Sequence, residues 1–377
     1  MTNETRKYRF LFVSAPFSGI EVFQQNLRQE IKTMDDIDPS WVFVEWNPPE
    51  FISRIPPLSL NWTLKAGTIT RMRIQELERS GKKFDAFFVN HLIPVVFLKR
   101  FRQRIPFVMS LDTTPVLLNR YASLYLGRNE KQRRIFHGLK HAIAKSIYHD
   151  AAGLLPWSNL VRESLISDYN VPVERLTVVP PGINLRLWDT SHPKKRQRED
   201  HIRILFVGAD FQRKGGDLLL ELAGRDEYRN CEFHFVTKSF VGTRGDNVIV
   251  HDMLKPNSDE LISLYRSSDI FALPTRADLS PNAICEAMAA GVPVVSTDIG
   301  AIREQVLDNE TGFLVSANDI SKFSERLLLL VREEDTRLRF GEQGRRRVES
   351  NFDLETAANT IVGLLKNTVD LRRKSYQ

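Results

Sequence analysis

Short apolar runs alternate with longer amphipathic stretches along almost the whole of this chain. Residues 9–14, 41–45, 84–89, 107–111, 152–155 and 177–179 are brief apolar runs that read as buried strands. Between them, residues 21–32, 64–80, 131–148 and 160–169 repeat apolar side chains every three or four positions, which predicts helices. Residues 189–200 break the pattern: they are polar, charged, contain Pro193 and read as a linker. A second series follows, with strands at 202–207, 232–236, 248–250, 270–273 and 292–295 and helices at 215–223, 258–267, 282–290 and 320–332. Asn257-Ser-Asp-Glu260 has the spacing of a capping box at the start of one of these helices. Residues 354–371 form a last apolar-periodic helix.

Strands separated by helices predict parallel sheets covered on both faces. The chain therefore reads as α/β, with two doubly wound Rossmann-like domains at 1–188 and 201–353 and a helical segment at 354–377. Such domains would face each other across a cleft, with ligands beyond the carboxyl ends of the strands.

Composition narrows the class. At 377 residues there is material for two full cores, and 42% hydrophobic with 27% charged residues is the balance of a soluble globular protein. No run of about 18 apolar residues occurs, so no membrane span is expected. The first residues run straight into a strand without an apolar signal segment, and the expected location is the cytoplasm. Cys231 and Cys285, the two cysteines, sit in apolar stretches and are expected to be buried thiols in a reducing compartment. Charge is uneven: residues 1–190 hold 26 Lys and Arg against 18 Asp and Glu, the remainder 27 against 29. A basic first half suits an anionic membrane surface, met peripherally from the cytoplasmic side, or a lipid-linked phosphate; a solvated basic face suits it equally. No recognition motif points to nucleic acid. The eight His residues are scattered without metal-ligand spacing, so no metal is expected.

The most informative stretch is Asp278-Leu-Ser280-Pro281-Asn282-Ala283-Ile-Cys-Glu286-Ala-Met-Ala-Ala-Gly291-Val-Pro-Val-Val295. Asp278 falls among turn formers; Pro281 suits a helix start, where its missing N–H has no partner to lose. The N–H groups of Asn282 and Ala283 would then point at a ligand, with a dipole that favours phosphate. Glu286, one turn deeper, is placed to accept hydrogen bonds from a ribose diol. Ordinary roles compete throughout: a turn for Asp278, a surface glutamate for Glu286.

This arrangement resembles the donor site of the retaining glycosyltransferases of family 4, the glycosyl transferases group 1. Their pattern is Glu, seven residues, Glu, then Ala-Met-Ala-x-Gly-x-Pro-Val-Val, and Asp278 stands where their first Glu does. Thr297-Asp-Ile-Gly300-Ala-Ile-Arg-Glu304, Asn309-Glu-Thr-Gly312-Phe-Leu-Val315, Val178-Val-Pro-Pro-Gly182-Ile-Asn184 and Ile204-Leu-Phe-Val-Gly208-Ala-Asp-Phe-Gln-Arg213-Lys214-Gly215 are similar to further family segments. The likeness is good from about 150 to 349 and weak before that. It implies the GT-B fold, with the last helix crossing back onto the first domain. It also implies a metal-independent enzyme that takes a nucleotide-diphosphate sugar and builds an α-glycoside on a glycan or lipid-linked acceptor. The expected step is a same-face displacement in which the departing phosphate helps to deprotonate the acceptor.

The resemblance distributes roles. Lys214 matches the phosphate-binding lysine. Arg213 would replace an arginine that many members have where Ala209 stands. Asp278 would touch the transferred sugar, and Ser280, Asn282, Ala283 and Glu286 complete the donor set. In the first half, Gly19 in Ser14-Ala-Pro-Phe-Ser18-Gly19-Ile20 would lie beneath the phosphates. Asp112, in Met109-Ser-Leu-Asp112-Thr-Thr-Pro115, stands where many members have His, near the transfer centre. His91 is a weaker candidate. The base would be read by backbone near 236–239 and 251–254. A nicotinamide dehydrogenase would need Gly-x-Gly-x-x-Gly after a strand, and none is present. The remaining rival is a non-catalytic GT-B protein that binds a nucleotide sugar or a partner.

Overall fold

A computed structural model describes residues 7–15, 18–44, 61–120, 137–188 and 201–374. The expected linker at 189–200, the start of the helix expected from 131, and Glu45 lie outside the described residues. The chain divides into two units, one of residues 183–353 and one of the segments before it together with the C-terminal helix.

In the first unit, β1 (Tyr8–Ser14) is followed by α1 (Ser18–Ile31), β2 (Ile37–Phe43), α2 (Trp62–Arg79), β3 (Ala86–Val89), α3 (Lys99–Arg104) and β4 (Phe107–Leu111). Then come α4 (Pro115–Arg120), α5 (His137–Asp150), β5 (Gly153–Pro156) and α6 (Asn159–Tyr169). The sheet is parallel in the order β2-β1-β3-β4-β5. Because strand side chains alternate, Leu11, Val13, Phe87, Val89, Phe107 and Met109 enter one core. Phe10, Phe12, Phe88 and Val108 enter the other, against α1.

In the second unit, β6 (Ile202–Val207), α7 (Gly216–Ala223), β7 (Cys231–Val236), β8 (Val248–His251), α8 (Asp259–Ser267) and β9 (Ile270–Leu273) come first. They are followed by α9 (Asn282–Ala289), β10 (Val294–Thr297), α10 (Ile302–Gln305), β11 (Gly312–Val315), α11 (Ile320–Arg332) and α12 (Glu334–Asn351). The order β11-β10-β9-β6-β7-β8, again parallel, is that of a dinucleotide-binding sheet. The final helix, α13 (Leu354–Lys374), places Ala358, Ile361 and Leu365 in the same core as α1 of the first unit.

Several boundaries differ from expectation for physical reasons. The first unit ends at Gly182 rather than 188, since Ile183 and Trp188 lie in the second core. Residues 177–179 form no strand: Thr177 and Val179 donate to Leu154 and Pro156 carbonyls before Pro180 and Pro181 end the pairing. β2 starts ahead of Trp41, and Pro39 is tolerated because β2 is an edge strand. β10 starts at Val294, not Val292. Gly291 (φ +70°) and Val292 donate back to Met288 and Ala287 and close α9, and Pro293 has no N–H to pair. The cap of α8 is Ser258, which accepts from Leu261 N–H, rather than Asn257. On α5 the buried face is Ala144, Ile147 and Tyr148, whereas Leu139 and Ala142, apolar positions of the periodic stretch 131–148, are exposed. Both cysteines are buried free thiols. No helix among the described residues is long and apolar enough to cross a membrane.

Candidate functional site

The second sheet reverses its winding between β6 and β9, and the two loops that leave their carboxyl ends meet there. The first loop, 208–215, turns through Gly215 at φ +80°, where any Cβ would collide with the carbonyl of Pro274 in the second loop. Arg276 stitches the loops together: its N–H donates to Arg213 O (2.9 Å) and its guanidinium grips the Asp217 carboxylate at 2.6 and 2.9 Å. A third loop joins through Ser239, whose hydroxyl donates to Ala209 O (2.8 Å) and accepts from Phe211 N–H (3.0 Å).

At this junction Lys214 Nζ lies 2.7 Å from Asp278 Oδ2. Asp278 is 9% exposed. Arg213 approaches the same oxygen at 3.8 Å, but its main partners are Asp210 Oδ2 (3.1 Å) and Ala277 O (2.6 Å), so it braces the loop more than it offers a charge. Behind Asp278, Gly300 (φ +56°) leaves no room for a side chain, since a Cβ would strike Asp278 O; Ala301 N–H donates to Leu279 O at 2.7 Å.

Ser280 and Pro281 lead from Asp278 into α9. Pro281, which precedes this helix, makes no side-chain cap, and Asn282 and Ala283 form the first turn. Glu286 follows on the same helix, partly buried, and accepts a hydrogen bond from the Tyr265 hydroxyl at 2.8 Å. Burial raises the Glu286 carboxyl above the ordinary range; the Tyr265 hydrogen bond and the charge of Lys214 pull it back. The structure thus brings Arg213, Lys214, Asp278, Ser280, Asn282, Ala283 and Glu286 to one end of one sheet.

The opposite, carboxyl end of α9 is backed by α12. Gly341 and Gly344 let α12 approach Gly291 and Met288 closely, and Arg345 Nη1 donates to Ala289 O (2.6 Å) and to Trp188 O. Tyr265, Arg276 and Arg345 carry the geometry of the site, yet they were not singled out from the sequence.

Comparison with known proteins identifies the family and the fold. The model described as Glycosyltransferase Family 4 matches residues 17–187, and that described as Glycosyl transferases group 1 matches residues 189–347. The chain belongs to the family 4 glycosyltransferases. It is 26% identical over 314 residues to a D-inositol 3-phosphate glycosyltransferase of Paenarthrobacter aurescens, covering 78% of this chain and 74% of that one. Among solved structures, sucrose-phosphate synthase of Thermosynechococcus elongatus superposes with a TM-score of 0.77 at 17% identity, over 97% of this chain and 100% of that one. HepE of Anabaena in complex with UDP-glucose gives 0.66 at 16% identity, over 95% and 99%. The fold is therefore GT-B, built of two Rossmann-like units, and the protein is a hexosyl-transferring glycosyltransferase.

Two residues expected in the family's site lie in the first unit. Gly19 is in the first turn of α1. Asp112 follows β4, partly buried, with its carboxyl pushed up to about 6 by burial and pulled back by the N–H groups of Asp112 and Thr113. His91 follows β3 and accepts a hydrogen bond from Ile93 N–H at Nδ1 (3.1 Å); burial lowers it to about 4, so it is neutral at pH 7. Among the described residues no group of three or more His, Cys, Asp and Glu side chains is gathered as a metal would require.

Proposed function

We propose that this glycosyltransferase moves a sugar from a nucleotide-diphosphate sugar to a hydroxyl of a glycan or lipid-linked acceptor, with retention and without a metal. The observation that carries this reading is the Lys214–Asp278 pair, set beside the start of α9 at the switch point of the second sheet. A diphosphate suits that place: Lys214 supplies a cation and the first N–H groups of α9 supply donors and the positive end of a dipole. Asp278 then faces the sugar, and Glu286 faces the ribose. HepE of Anabaena carries UDP-glucose on the same fold, which favours a uridine donor.

In the reaction, the bond from the anomeric carbon to the phosphate oxygen breaks. The acceptor oxygen forms its new bond on the same face and gives its proton to the departing phosphate oxygen. The negative charge that grows on the diphosphate is met by Lys214 and the α9 N–H groups, a preorganised stabilisation of the kind that dominates group transfer. Asp112, whose carboxyl burial pushes up to about 6, is suited to hold the acceptor hydroxyl. The name of the Paenarthrobacter relative adds a phosphorylated polyol to the acceptor classes to be tried.

The test is calorimetric binding of UDP, GDP and TDP, each with EDTA and with magnesium, followed by turnover of the sugar donor of whichever nucleotide binds. Metal-independent binding of one nucleotide, and a product whose anomeric coupling constant matches the donor, support the reading. Absence of binding by every nucleotide, or an inverted product, overturns it.

A further inference from the structure

We infer that Tyr265 is a positioning residue for Glu286, and that together they select a ribonucleotide over a 2′-deoxyribonucleotide. The inference rests on the donor reading above and adds to it a residue and a substrate class.

The geometry is specific. Tyr265, in the last turn of α8, has no exposed surface, and its hydroxyl sits 2.8 Å from Glu286 Oε2. Its ring cannot swing away, since Trp188 meets it edge-on at 5.3 Å and Phe271 stacks at 5.9 Å. Trp188 is itself held by Arg345, which also binds the end of α9 that carries Glu286. A buried tyrosine hydroxyl that spends its proton on one carboxylate oxygen leaves Oε1 to accept from a ligand.

That division has two chemical consequences. First, the hydrogen bond stabilises the ionised carboxyl in a place where burial opposes ionisation. The charged and titratable groups around it are Tyr265 from α8, Lys214 from the loop after β6, and the neighbouring Cys285, whose own thiol is held protonated by burial. Tyr265 is raised well above its ordinary range by burial and by Glu286, so it stays a donor throughout the working pH range. Second, an ionised carboxylate fixed in one rotamer is an acceptor for two adjacent hydroxyls. A ribose offers two; a 2′-deoxyribose offers one, and leaves a buried acceptor unmet.

The experiment uses the full chain, with UDP, GDP and ADP and the 2′-deoxy form of whichever binds, measured by calorimetry from pH 5.5 to 8.5. Wild type should prefer the ribonucleotide by roughly tenfold or more, the usual penalty for an unmet buried polar group. Tyr265→Phe should weaken the ribonucleotide by roughly five- to twentyfold at pH 6.5, with part of the loss recovered at pH 8.5. It should leave the deoxynucleotide nearly unchanged. In Glu286→Gln, which keeps the shape but not the charge, adding Tyr265→Phe should bring no further pH-dependent loss. Equal weakening of both nucleotides at every pH, with a matching fall in Tm, would make Tyr265 a packing residue and overturn the inference. An unaltered ribonucleotide affinity in Tyr265→Phe would do the same. If wild type binds none of the three diphosphates and no TDP either, the donor reading fails first and takes this one with it; binding of TDP alone leaves the donor reading standing and overturns this inference.

Discussion

Lys214 Nζ rests 2.7 Å from Asp278 Oδ2, so the cation offered to a diphosphate already has a carboxylate partner. Both side chains are mostly withdrawn from water, at 15% and 12% exposure, and the removal of one member of such a pair costs more than the removal of both. Lys214→Ala should therefore lower both nucleotide affinity, by about 1.5–3 kcal/mol as for a lost charged hydrogen bond, and thermal stability. Lys214→Ala combined with Asp278→Asn should regain stability but not affinity. Calorimetry and thermal melts separate the two effects. A double variant as unstable as the single one would show that the pair is not the source.

Gly300 fixes the height of the Asp278 loop. At φ +56°, with Asp278 O where a Cβ would go, Gly300→Ala forces the loop outward at a strain of about 1–3 kcal/mol. Transfer should fall by more than roughly tenfold, because Asp278 moves. Gly363→Ala, on α13 with open space around it, is the control, and should be neutral or slightly stabilising. Similar kcat/KM values for the two variants would refute the assignment.

The alternation of apolar runs and amphipathic stretches was enough to locate both sheets, because strands buried on both faces leave continuous apolar runs that periodicity detects. The loop after β6 and the start of α9 were legible for a different reason: Gly215, Pro281 and Gly291 punctuate the chain where backbone geometry demands it. What stayed hidden came from contacts distant in sequence. Tyr265 reads as one more apolar position of α8, and only folding brings it to Glu286. α12 was missed because its buried side includes Thr336, Arg337, Gly341 and Gly344, which blur the apolar stripe. The local reading also put the Asn257 cap one residue early, since Asn257 and Ser258 are both good caps and the choice depends on the backbone.

Arg345 closes the far end of the donor helix. It donates to Ala289 O, where α9 has spent its own N–H groups, and to Trp188 O, and pairs with Glu349 at 2.6 Å. Arg345→Ala removes two charge-assisted bonds to backbone carbonyls and should cost about 2–4 kcal/mol. Arg345→Lys should recover little, because a single ammonium does not reproduce the fork. Saturating nucleotide should raise the Tm of Arg345→Ala by more than that of wild type, since ligand binding would re-order α9. Equal ligand-induced shifts would place Arg345 outside the donor helix's support.

Asp112 should give the enzyme a pH-dependent weakness. Its folded carboxyl is raised to about 6 from 3.8, so the folded state holds the proton that the unfolded state releases. The sign follows: ionisation is no burden below about pH 4, grows costly through the interval, and carries its full penalty above about pH 6. Asp112→Asn removes that penalty. It should match wild type near pH 4 and exceed it at pH 7.5, by less than about 3 kcal/mol once solvent screening of a partly buried group is allowed for. Urea unfolding at pH 4.5, 6 and 7.5 measures the difference. Transfer should fall in the same variant if the carboxyl serves the acceptor, a gain in stability at the expense of activity. A stability gap that does not widen with pH would mean that burial of Asp112 is not what sets its carboxyl apart.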